Sequence, residues 1–196
     1  MKASAEKKKI NKDDILNEVL YIFRTIVITS VLVFMIFNFL FTPVTVDGPS
    51  MTPTLLEKQW GFSSLLGKFF GNYKRFDVVV VHYAEKDMKL VKRIIGLPGE
   101  TIEYYDDKLY IDGKYVKEKY FDKKYVDTQT YNGAILFTDD FGPITLKKNE
   151  YFVMGDNRPR STDSRVLGSF KKEEILSKSV LVLFPFSNIH FAGNGG

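Results

Sequence analysis

The sequence predicts a mostly β protein, with antiparallel sheets that form a sandwich or partly open barrel, preceded by one N-terminal transmembrane helix. Three observations support this prediction. Residues 25–46 contain no charged side chain. After them, short runs rich in β-branched and aromatic residues recur between turn residues. Finally, 44% of the residues are hydrophobic and 15% are aromatic, which argues against disorder.

The uncharged run near the N-terminus is long enough to cross a membrane. A helix rises about 1.5 Å per residue, so about 20 residues span a hydrocarbon core of about 30 Å. A buried core helix would show a polar face, which this run lacks. The apolar part of a cleavable signal peptide is shorter and is followed by small residues at the cleavage site. We therefore predict an uncleaved transmembrane anchor over residues 25–42.

The charges on either side of the anchor predict its orientation. Residues 1–12 contain five lysines and one glutamate, whereas the first basic residue after the anchor is Lys58. Lysine and arginine are enriched on the cytoplasmic side of membrane segments. Residues 1–24 are therefore predicted to be a basic cytoplasmic segment, and residues 43–196 an extracytoplasmic β-rich domain.

The domain after the anchor contains a series of predicted strands, at residues 76–83, 90–95, 101–105, 108–111, 143–146, 151–154 and 179–184. Asp112-Gly113 is typical of a two-residue hairpin turn. Residues 101–150 are predicted to form a smaller inserted β region. Lys114 to Asp127 is expected to be an exposed insertion or a solvated strand edge, and Lys171 to Leu176 a short helix.

Residues 60–70 are unusually apolar for what the sequence suggests is a loop, and they contain the only tryptophan, Trp60. Two interpretations stay open for this segment. It packs in the core, or it forms an interfacial patch that dips into the outer leaflet, where Trp and Phe side chains are well placed.

Composition excludes several classes of site. Cysteine is absent, so there are no disulfides, cysteine nucleophiles or cysteine-ligated metal centres. His82 and His190 are too few for a histidine-rich metal site and are expected to be structural. Beyond residue 24 the chain carries 22 basic and 20 acidic side chains, so no basic surface for nucleic acid is expected despite the pI of about 9.0. We expect neither a cofactor nor a metal.

Ser50 lies in the first of three stretches whose polar residues suit catalysis, Val46 to Leu55. Gly48, Pro49 and Pro53 surround this serine and would hold an irregular loop in a fixed shape. A serine between prolines is most often only a turn residue, so this stretch alone does not indicate a nucleophile.

The second stretch, Leu90 to Glu100, places two cations on a predicted strand. Lys92 shares one face of the strand with its apolar neighbours at 90 and 94, and Arg93 shares the other face. Such side chains usually extend to solvent at a sheet edge, but a buried lysine loses its charge more easily and can act as a general base. Arginine does not deprotonate in proteins, so a base in this stretch must be Lys92.

The third stretch, Gly155 to Arg165, contains two aspartates and three arginines within eleven residues. It follows a predicted strand, and a solvated loop linked by ion pairs would explain it equally well.

Together the three stretches resemble bacterial type I signal peptidases, the S26-type serine proteases of the membrane that remove signal peptides from exported proteins. The matching runs are Ser-Met-x-Pro-Thr-Leu at 50–55, Lys-Arg-x-x-Gly-x-Pro-Gly at 92–99, and Gly-Asp-Asn-Arg-x-x-Ser-x-Asp-Ser-Arg at 155–165. The anchor just before the serine also matches, so the resemblance covers nearly the whole chain.

The resemblance implies a role for each matching position. Ser50 would be the nucleophile and Lys92 the general base of a Ser-Lys dyad, without a histidine. Ser161 would orient the lysine, and the Ser50 N–H would be one donor of the oxyanion hole. Some members place a second donor, a serine hydroxyl, where this chain has Gly48, as in compact Gram-positive forms; the Gly48 N–H or a water would replace it. The supporting residues would be Asp156, Asn157 and Arg158 in the loop and the ion pair of Asp163 with Arg165.

The resemblance also implies a substrate and a location. The substrates would be preproteins with signal peptides, cut after small residues by a catalytic domain (residues 43–196) outside the bacterial plasma membrane, with the lipid bilayer as a further partner. Self-cleaving repressors of the SOS response share the dyad, but they carry a DNA-binding domain in place of the anchor. An alternative is a catalytically silent or dedicated relative that assists the assembly or processing of surface proteins such as pilins; silent relatives typically lack the serine or the lysine.

Overall fold

A computed structural model describes residues 12–71, 73–131 and 135–193 of the chain. The chain divides into two compact units, residues 1–39 and the residues from Leu40 onward. Helix α1 (Lys12–Leu40) lies in the first unit except for its last residue, and the second unit contains all the described strands. The basic residues at positions 1–11 lie outside the described residues.

Within the described residues, one helix is long and apolar enough to cross a membrane. This segment is Ile15–Leu40, and an 18-residue window within it has a mean hydropathy of 2.3 and no buried residues. Helix α1 contains residues 25–40 of the predicted anchor and also residues 12–24 before it, and it ends at Leu40, two residues before the predicted limit at 42. Pro43 explains the early end, since it disfavours helical backbone at the residue before it and cannot donate a helical hydrogen bond.

In the described ranges the second unit contains twelve strands: β1 (Phe41–Thr45), β2 (Trp60–Ser64), β3 (Val78–Tyr83), β4 (Met88–Gly96), β5 (Thr101–Tyr105), β6 (Lys108–Ile111), β7 (Lys114–Val116), β8 (Phe141–Thr145), β9 (Glu150–Met154), β10 (Phe170–Lys171), β11 (Ile175–Phe184) and β12 (His190–Ala192). Three short helices lie between them, α2 (Leu66–Phe70), α3 (Lys123–Gln129) and α4 (Ser164–Leu167).

The strands form two antiparallel sheets. The larger has the order β1-β2-β11-β3-β4-β9-β10, with β12 also paired to β11, and the smaller has the order β7-β6-β5-β8. Neither sheet closes into a barrel. The predicted mostly β fold, with antiparallel sheets preceded by an apolar helix, is therefore confirmed.

The strands of the smaller sheet lie between Thr101 and Thr145, within the stretch 101–150 for which an inserted β region was predicted. Its β6–β7 hairpin turns at Asp112-Gly113, where Ile111 pairs with Lys114 and both turn residues have positive φ, 50° and 74°. Those angles suit the tight turn that the dipeptide predicts. An apolar cluster packs β4 and β9 of the larger sheet against this smaller one, with Ile95, Ile102, Leu109, Phe152 and Met154 among its buried members.

Two segments have structures that differ from those predicted for them. Residues 60–70 are not a loop but form β2 and α2, because the free edge of β11 binds β2 along its whole length from Trp60 to Ser64. The expected helix at Lys171 to Leu176 is wrong as well: a short 3-10 turn at Lys172–Glu174 leads into β11. Ile175 and Ser177 are fully buried, with Leu176 only partly so, which is the alternation of a strand.

The segment from Lys114 to Asp127 is not simply an exposed insertion. It contains β7 and the start of α3. Between them, Glu118 has only 8% of its side chain exposed. Its buried carboxylate pairs with a buried arginine, and this contact could not be inferred from the charged and polar character of the segment.

Candidate active site

Ser50 and Lys92 come together in the structure although they are 42 residues apart. Ser50 lies in the turn that follows β1, and Lys92 lies at the middle of β4. Lys92 Nζ donates a hydrogen bond of 2.7 Å to Ser50 Oγ. A hydroxyl and an amine at this distance have the geometry that proton transfer requires.

Lys92 is buried, with 3% of its surface exposed. Burial lowers the pKa of its ammonium from 10.5 to about 8, against the opposing effect of Asp163 and, more weakly, of Asp156. At pH 7 about one molecule in ten therefore carries the neutral amine, compared with about one in several thousand for an exposed lysine. This lysine can accept a proton near neutral pH.

The backbone around Ser50 is held by the Gly155–Arg165 loop. Asn157 N–H donates to the Ser50 carbonyl at 3.0 Å, and Asn157 Nδ2 donates to the Pro49 carbonyl at 3.1 Å. Gly155 packs so closely that a Cβ at this position would lie 2.2 Å from Ser161 Oγ and 2.4 Å from the Ser50 carbonyl oxygen. Only glycine fits this contact, so the loop and the Ser50 turn are fixed to each other.

Arg93 lies on the opposite face of β4 from Lys92, and it is also buried, with 2% exposed. Its guanidinium binds Asp156 through two hydrogen bonds, of 2.8 Å from Nε and 2.6 Å from the terminal nitrogen. Thr54 Oγ1 donates to the same carboxylate. Thr54 was missed by sequence reasoning, although it lies within the serine run, where a hydroxyl four residues after Ser50 was the available signal.

Asp163 and Arg165 form the ion pair that the resemblance implies, at 2.8 Å. The Gly155 N–H also donates to Asp163, at 3.0 Å. Burial alone would raise the pKa of the Asp163 carboxyl, but the hydrogen bond and charge of Arg165 outweigh it, and the pKa lies below the usual value. Asp163 thus stays ionised and supports the loop backbone that contacts Ser50.

Ser161 Oγ is buried against Gly155. It lies close enough to Asp163 to be among the groups that lower the pKa of that carboxyl. It makes no hydrogen bond of ordinary geometry to the described residues. The structure thus brings Ser161 to the site but shows no bond from it to Lys92.

Arg158 is 1% exposed, and its side-chain partners come from β5 and from the segment between β7 and β8. The guanidinium pairs with Glu118, and it donates to the hydroxyls of Tyr120 at 2.8 Å, Tyr104 at 2.7 Å and Thr138 at 3.1 Å. Sequence reasoning missed these four partners, because they lie outside the three recognised stretches.

The Ser50 N–H donates no hydrogen bond to any described residue. Two positions earlier, Gly48 has a φ of 79°, a conformation that side chains rarely adopt. The chain therefore turns sharply before Ser50, and an amide donor is available beside the Ser50 hydroxyl.

A groove extends from Ser50 between β1 and the first half of β4. Its end at Ser50 is a small depression of about 60 Å³, lined mainly by residues 45–47, 50–51 and 89–92. A second depression of about 190 Å³ shares Lys89 with it and is lined on the other side by Thr42, Pro43 and Val44. In the described residues, β1 pairs only with β2, and residues 88–92 of β4 pair only with β3. Both sides of the groove therefore present a free strand edge.

The two histidines lie outside the Ser50–Lys92 pair. His190 Nε2 is 3.0 Å from the Thr54 carbonyl, and His82 Nε2 is 2.8 Å from Asp87. Within the described ranges no group of three His, Asp or Glu side chains is arranged to hold a metal ion.

The sequence profile of the family described as signal peptidase, peptidase S26, matches residues 19–184. The chain belongs to the S26 signal peptidase family. The resemblance inferred from the three stretches is thereby confirmed.

Named relatives of this S26 chain include signal peptidases of Bacillus subtilis. Signal peptidase I P of Bacillus subtilis subsp. natto is 42% identical over 188 residues, which cover 95% of this chain and 98% of that protein. Signal peptidase I S of Bacillus subtilis strain 168 is 45% identical over 167 residues, or 85% and 89% of the two chains. A crystal structure of a signal peptidase I from Enterococcus faecalis V583 is 36% identical and covers 55% of this chain and 96% of that chain, with a TM-score of 0.48.

Proposed function

We propose that this S26 protein is a serine endopeptidase that removes N-terminal signal peptides from exported preproteins, with Ser50 as nucleophile and Lys92 as general base. One observation carries the proposal: the buried Lys92 amine, whose pKa is lowered to about 8, lies 2.7 Å from Ser50 Oγ. No histidine is needed for this chemistry.

The proposed reaction begins when the neutral Lys92 amine takes the proton of Ser50. The alkoxide attacks the scissile carbonyl, and the Lys92 ammonium then protonates the leaving amine of the mature protein. A water molecule, activated by the same lysine, hydrolyses the acyl-enzyme and frees Ser50. A pKa of about 8 suits both steps, because the group gains and loses its proton near the working pH.

The unpaired Ser50 N–H is the proposed first donor to the oxyanion that forms on the substrate carbonyl. Gly48 precedes it in a conformation with positive φ. A Gly48 N–H or a water is the proposed second donor, in place of the serine hydroxyl of other family members.

The shape of the groove supports binding of an extended substrate and cleavage after a small residue of that substrate. Its two free strand edges can pair with the main chain of a substrate strand, which fixes register without reading side chains. The depression at Ser50 has about 60 Å³ and is bordered by Val46, Met51 and Val91. A space of this size admits a methyl or hydroxymethyl side chain rather than a large one, which explains a preference for small residues next to the cut.

We also propose that the bilayer is a partner of the β domain. Trp60, Leu183, Phe184 and Phe186 border an open, apolar depression, and Phe186 is 78% exposed. A second apolar depression nearby in the chain includes Phe70 and Phe191, which are 77% and 67% exposed. Exposed aromatic clusters of this kind are typical of interaction surfaces, and aromatic side chains are favoured at membrane interfaces.

The peptidase proposal is tested with a purified preprotein and the full chain in detergent or lipid. We expect the wild type to cut after a small residue, and Ser50→Ala and Lys92→Ala to be inactive while folded. Ser187→Ala and Lys86→Ala, at exposed positions, are the matched controls and should retain activity. A wild type that is inert on several preproteins would instead favour the silent assembly factor.

Trp60 provides a direct test of the lipid proposal, since it is the only tryptophan. With the full chain in vesicles, brominated acyl chains should quench its fluorescence, and Phe184→Ser with Phe186→Ser should reduce that quenching. Fluorescence that is insensitive to brominated lipid would contradict the proposal.

The proposed orientation, with a cytoplasmic N-terminus, predicts that protease added outside intact cells digests the β domain and leaves the N-terminus protected.

A further inference from the structure

The cations and anions beneath the candidate active site are matched in pairs. Arg93 binds Asp156, Arg165 binds Asp163, and Arg158 binds Glu118. Two of these carboxylates come from the recognised Gly155–Arg165 loop. Glu118 does not, and it lies in the segment between β7 and α3, far from the three stretches in sequence.

Glu118 is the centre of a closed set of hydrogen bonds. Its Oε1 accepts from the Tyr104 hydroxyl at 2.7 Å and from the Tyr120 hydroxyl, and the same oxygen pairs with Arg158. Both tyrosine hydroxyls accept from Arg158 in turn. Such a network in a buried setting fixes its members, because a missing partner leaves a buried polar group unsatisfied.

Arg158 transmits that fixed position to the loop beside Ser50. Its Nε donates to the Gly155 carbonyl at 3.0 Å, and Gly155 is the residue that packs against the Ser50 carbonyl oxygen. The Arg158 carbonyl accepts from Arg165 at 2.8 Å, and Asn157, the preceding residue, holds the Ser50 and Pro49 carbonyls. Glu118 is thus two contacts from the backbone that carries the candidate nucleophile.

The network also reaches the other face of β4. The Arg93 guanidinium lies 4.0 Å from the centre of the Tyr120 ring. Tyr120 therefore contacts Arg93 through its ring and binds Glu118 through its hydroxyl. The strand that carries Lys92 and the loop that holds Ser50 share one support.

We propose that Glu118 is a positioning residue for the Ser50–Lys92 pair, acting through Arg158 on the Gly155–Asn157 backbone. This inference rests on the proposed peptidase function. It assigns the segment between β7 and α3 a part in the activity of the site rather than only in the stability of the smaller sheet.

The test compares Glu118→Gln and Glu118→Ala with the wild type in preprotein cleavage by the full chain, with Glu103→Gln on β5 as the charge-matched control. We expect kcat to fall about tenfold for Gln and about 100-fold for Ala, with KM changed less than about threefold, because small misplacements of reacting groups lower the rate steeply. Glu118→Gln keeps the shape and an acceptor oxygen, so it carries the test if Glu118→Ala fails to fold.

The pH profile separates positioning from stability. The groups that set the pKa of Lys92 are its own burial, Asp163, Asp156 and Arg165, and Ser50 is its hydrogen-bond partner. A loosened loop admits water to Lys92, which weakens the effect of burial and moves the acid limb of kcat to higher pH in the Glu118 variants. Glu103→Gln should leave kcat and its pH profile unchanged.

The outcomes distinguish the two proposals. If the wild type cleaves but the Glu118 variants keep its kcat and acid limb and lose only thermal stability, Glu118 is structural and the inference is overturned. A wild type that is folded and inert would overturn the proposed function itself.

Discussion

The two faces of β4 carry neighbouring buried cations, of which one is bonded to a carboxylate and the other is not. Lys92 and Arg93 are equally buried and one residue apart, yet Arg93 has a carboxylate of its own, held by two hydrogen bonds. Among the described residues, the Ser50 hydroxyl is the hydrogen-bond partner of Lys92, and the carboxylates of Asp156 and Asp163 are engaged by Arg93 and Arg165.

This difference shows how one strand can provide both a base and a support. A buried cation with a bonded carboxylate stays charged and fixes its surroundings, whereas a buried cation without one becomes easier to deprotonate. The carboxylates bind the arginines, which do not deprotonate in proteins. The lysine has no bonded carboxylate, so it can lose its proton more easily.

The largest expected effect is that of removing the unpaired cation. Lys92→Met should lower kcat/KM by about 10⁴-fold, since the proposed general base is lost. The same change should stabilise the protein by about 2 kcal/mol at pH 7, because a buried charge with a lowered pKa is removed at the expense of one hydrogen bond. Thermal unfolding and cleavage assays on the same preparation measure both effects.

The stabilisation of Lys92→Met should depend on pH in a defined direction. The native pKa is about 8 and the unfolded value about 10.5, so the penalty for charging Lys92 is fully present below pH 8 and is relieved as the pH rises toward 10.5. A variant that is less stable than the wild type at pH 7 would contradict the contrast between the two cations.

Removing the paired cation should have the opposite effect on stability. Arg93→Met leaves the Asp156 carboxylate buried without its counter-charge, and we expect a loss of about 3–5 kcal/mol in the free energy of unfolding. Denaturant unfolding measures it, and Arg75→Met, in a pair with Glu100 that is less buried, is the matched control with a smaller expected loss. Equal losses for the two variants would show that burial of the pair does not matter.

A substitution at Gly155 tests whether activity depends on the close contact between this glycine and the Ser50 backbone. Gly155→Ala places a methyl group against the Ser50 carbonyl and Ser161 Oγ, and we expect kcat to fall about 10- to 100-fold as the turn shifts. Gly113→Ala is a control without close contacts at its Cβ, although its positive φ makes it strained in its own right. Wild-type kcat in Gly155→Ala would mean that the close approach is not needed.

The smallest effect is that of pH on the wild type. Since only the neutral form of Lys92 can act as base, kcat/KM should rise about tenfold from pH 6 to 7, level off above about pH 8, and show no change of slope at a lower pH. An acid limb at pH 5 or below would point to a carboxylate base in place of Lys92. A profile from pH 5 to 10 on one preprotein decides between them.

The sequence allowed much of the sheet structure to be predicted, because alternation and turn dipeptides are local signals. The runs at 101–105 and 108–111 match β5 and β6 residue for residue. β1, β10 and β12 were missed, since they are short and depend on a partner strand for their conformation. β2 was also missed, because its apolar run was interpreted as a loop. The close packing of Gly61 against the Leu181 carbonyl depends on a strand far away in sequence.

Individual residues of the candidate site were predicted only within the three stretches that resemble the family. The distance between Ser50 and Lys92, and the division of partners between Lys92 and Arg93, depend on contacts between segments far apart in sequence. Glu118 carried no local signal, because a glutamate among lysines and tyrosines is typical of an exposed segment. The catalytic roles of Ser50, Lys92 and their supporting residues stay predictions until variants are measured.

The Asp163–Arg165 pair also sets a limit on acid tolerance. The carboxyl of Asp163 has a lowered pKa, so the stability it contributes is present above about pH 4 and is lost as the pH falls through its native value. Once Asp163 is protonated, Arg165 keeps its charge but loses its carboxylate partner in the loop beside Ser50. Acid denaturation of this protein should therefore begin at the candidate active site, while the apolar core around β3 is still folded.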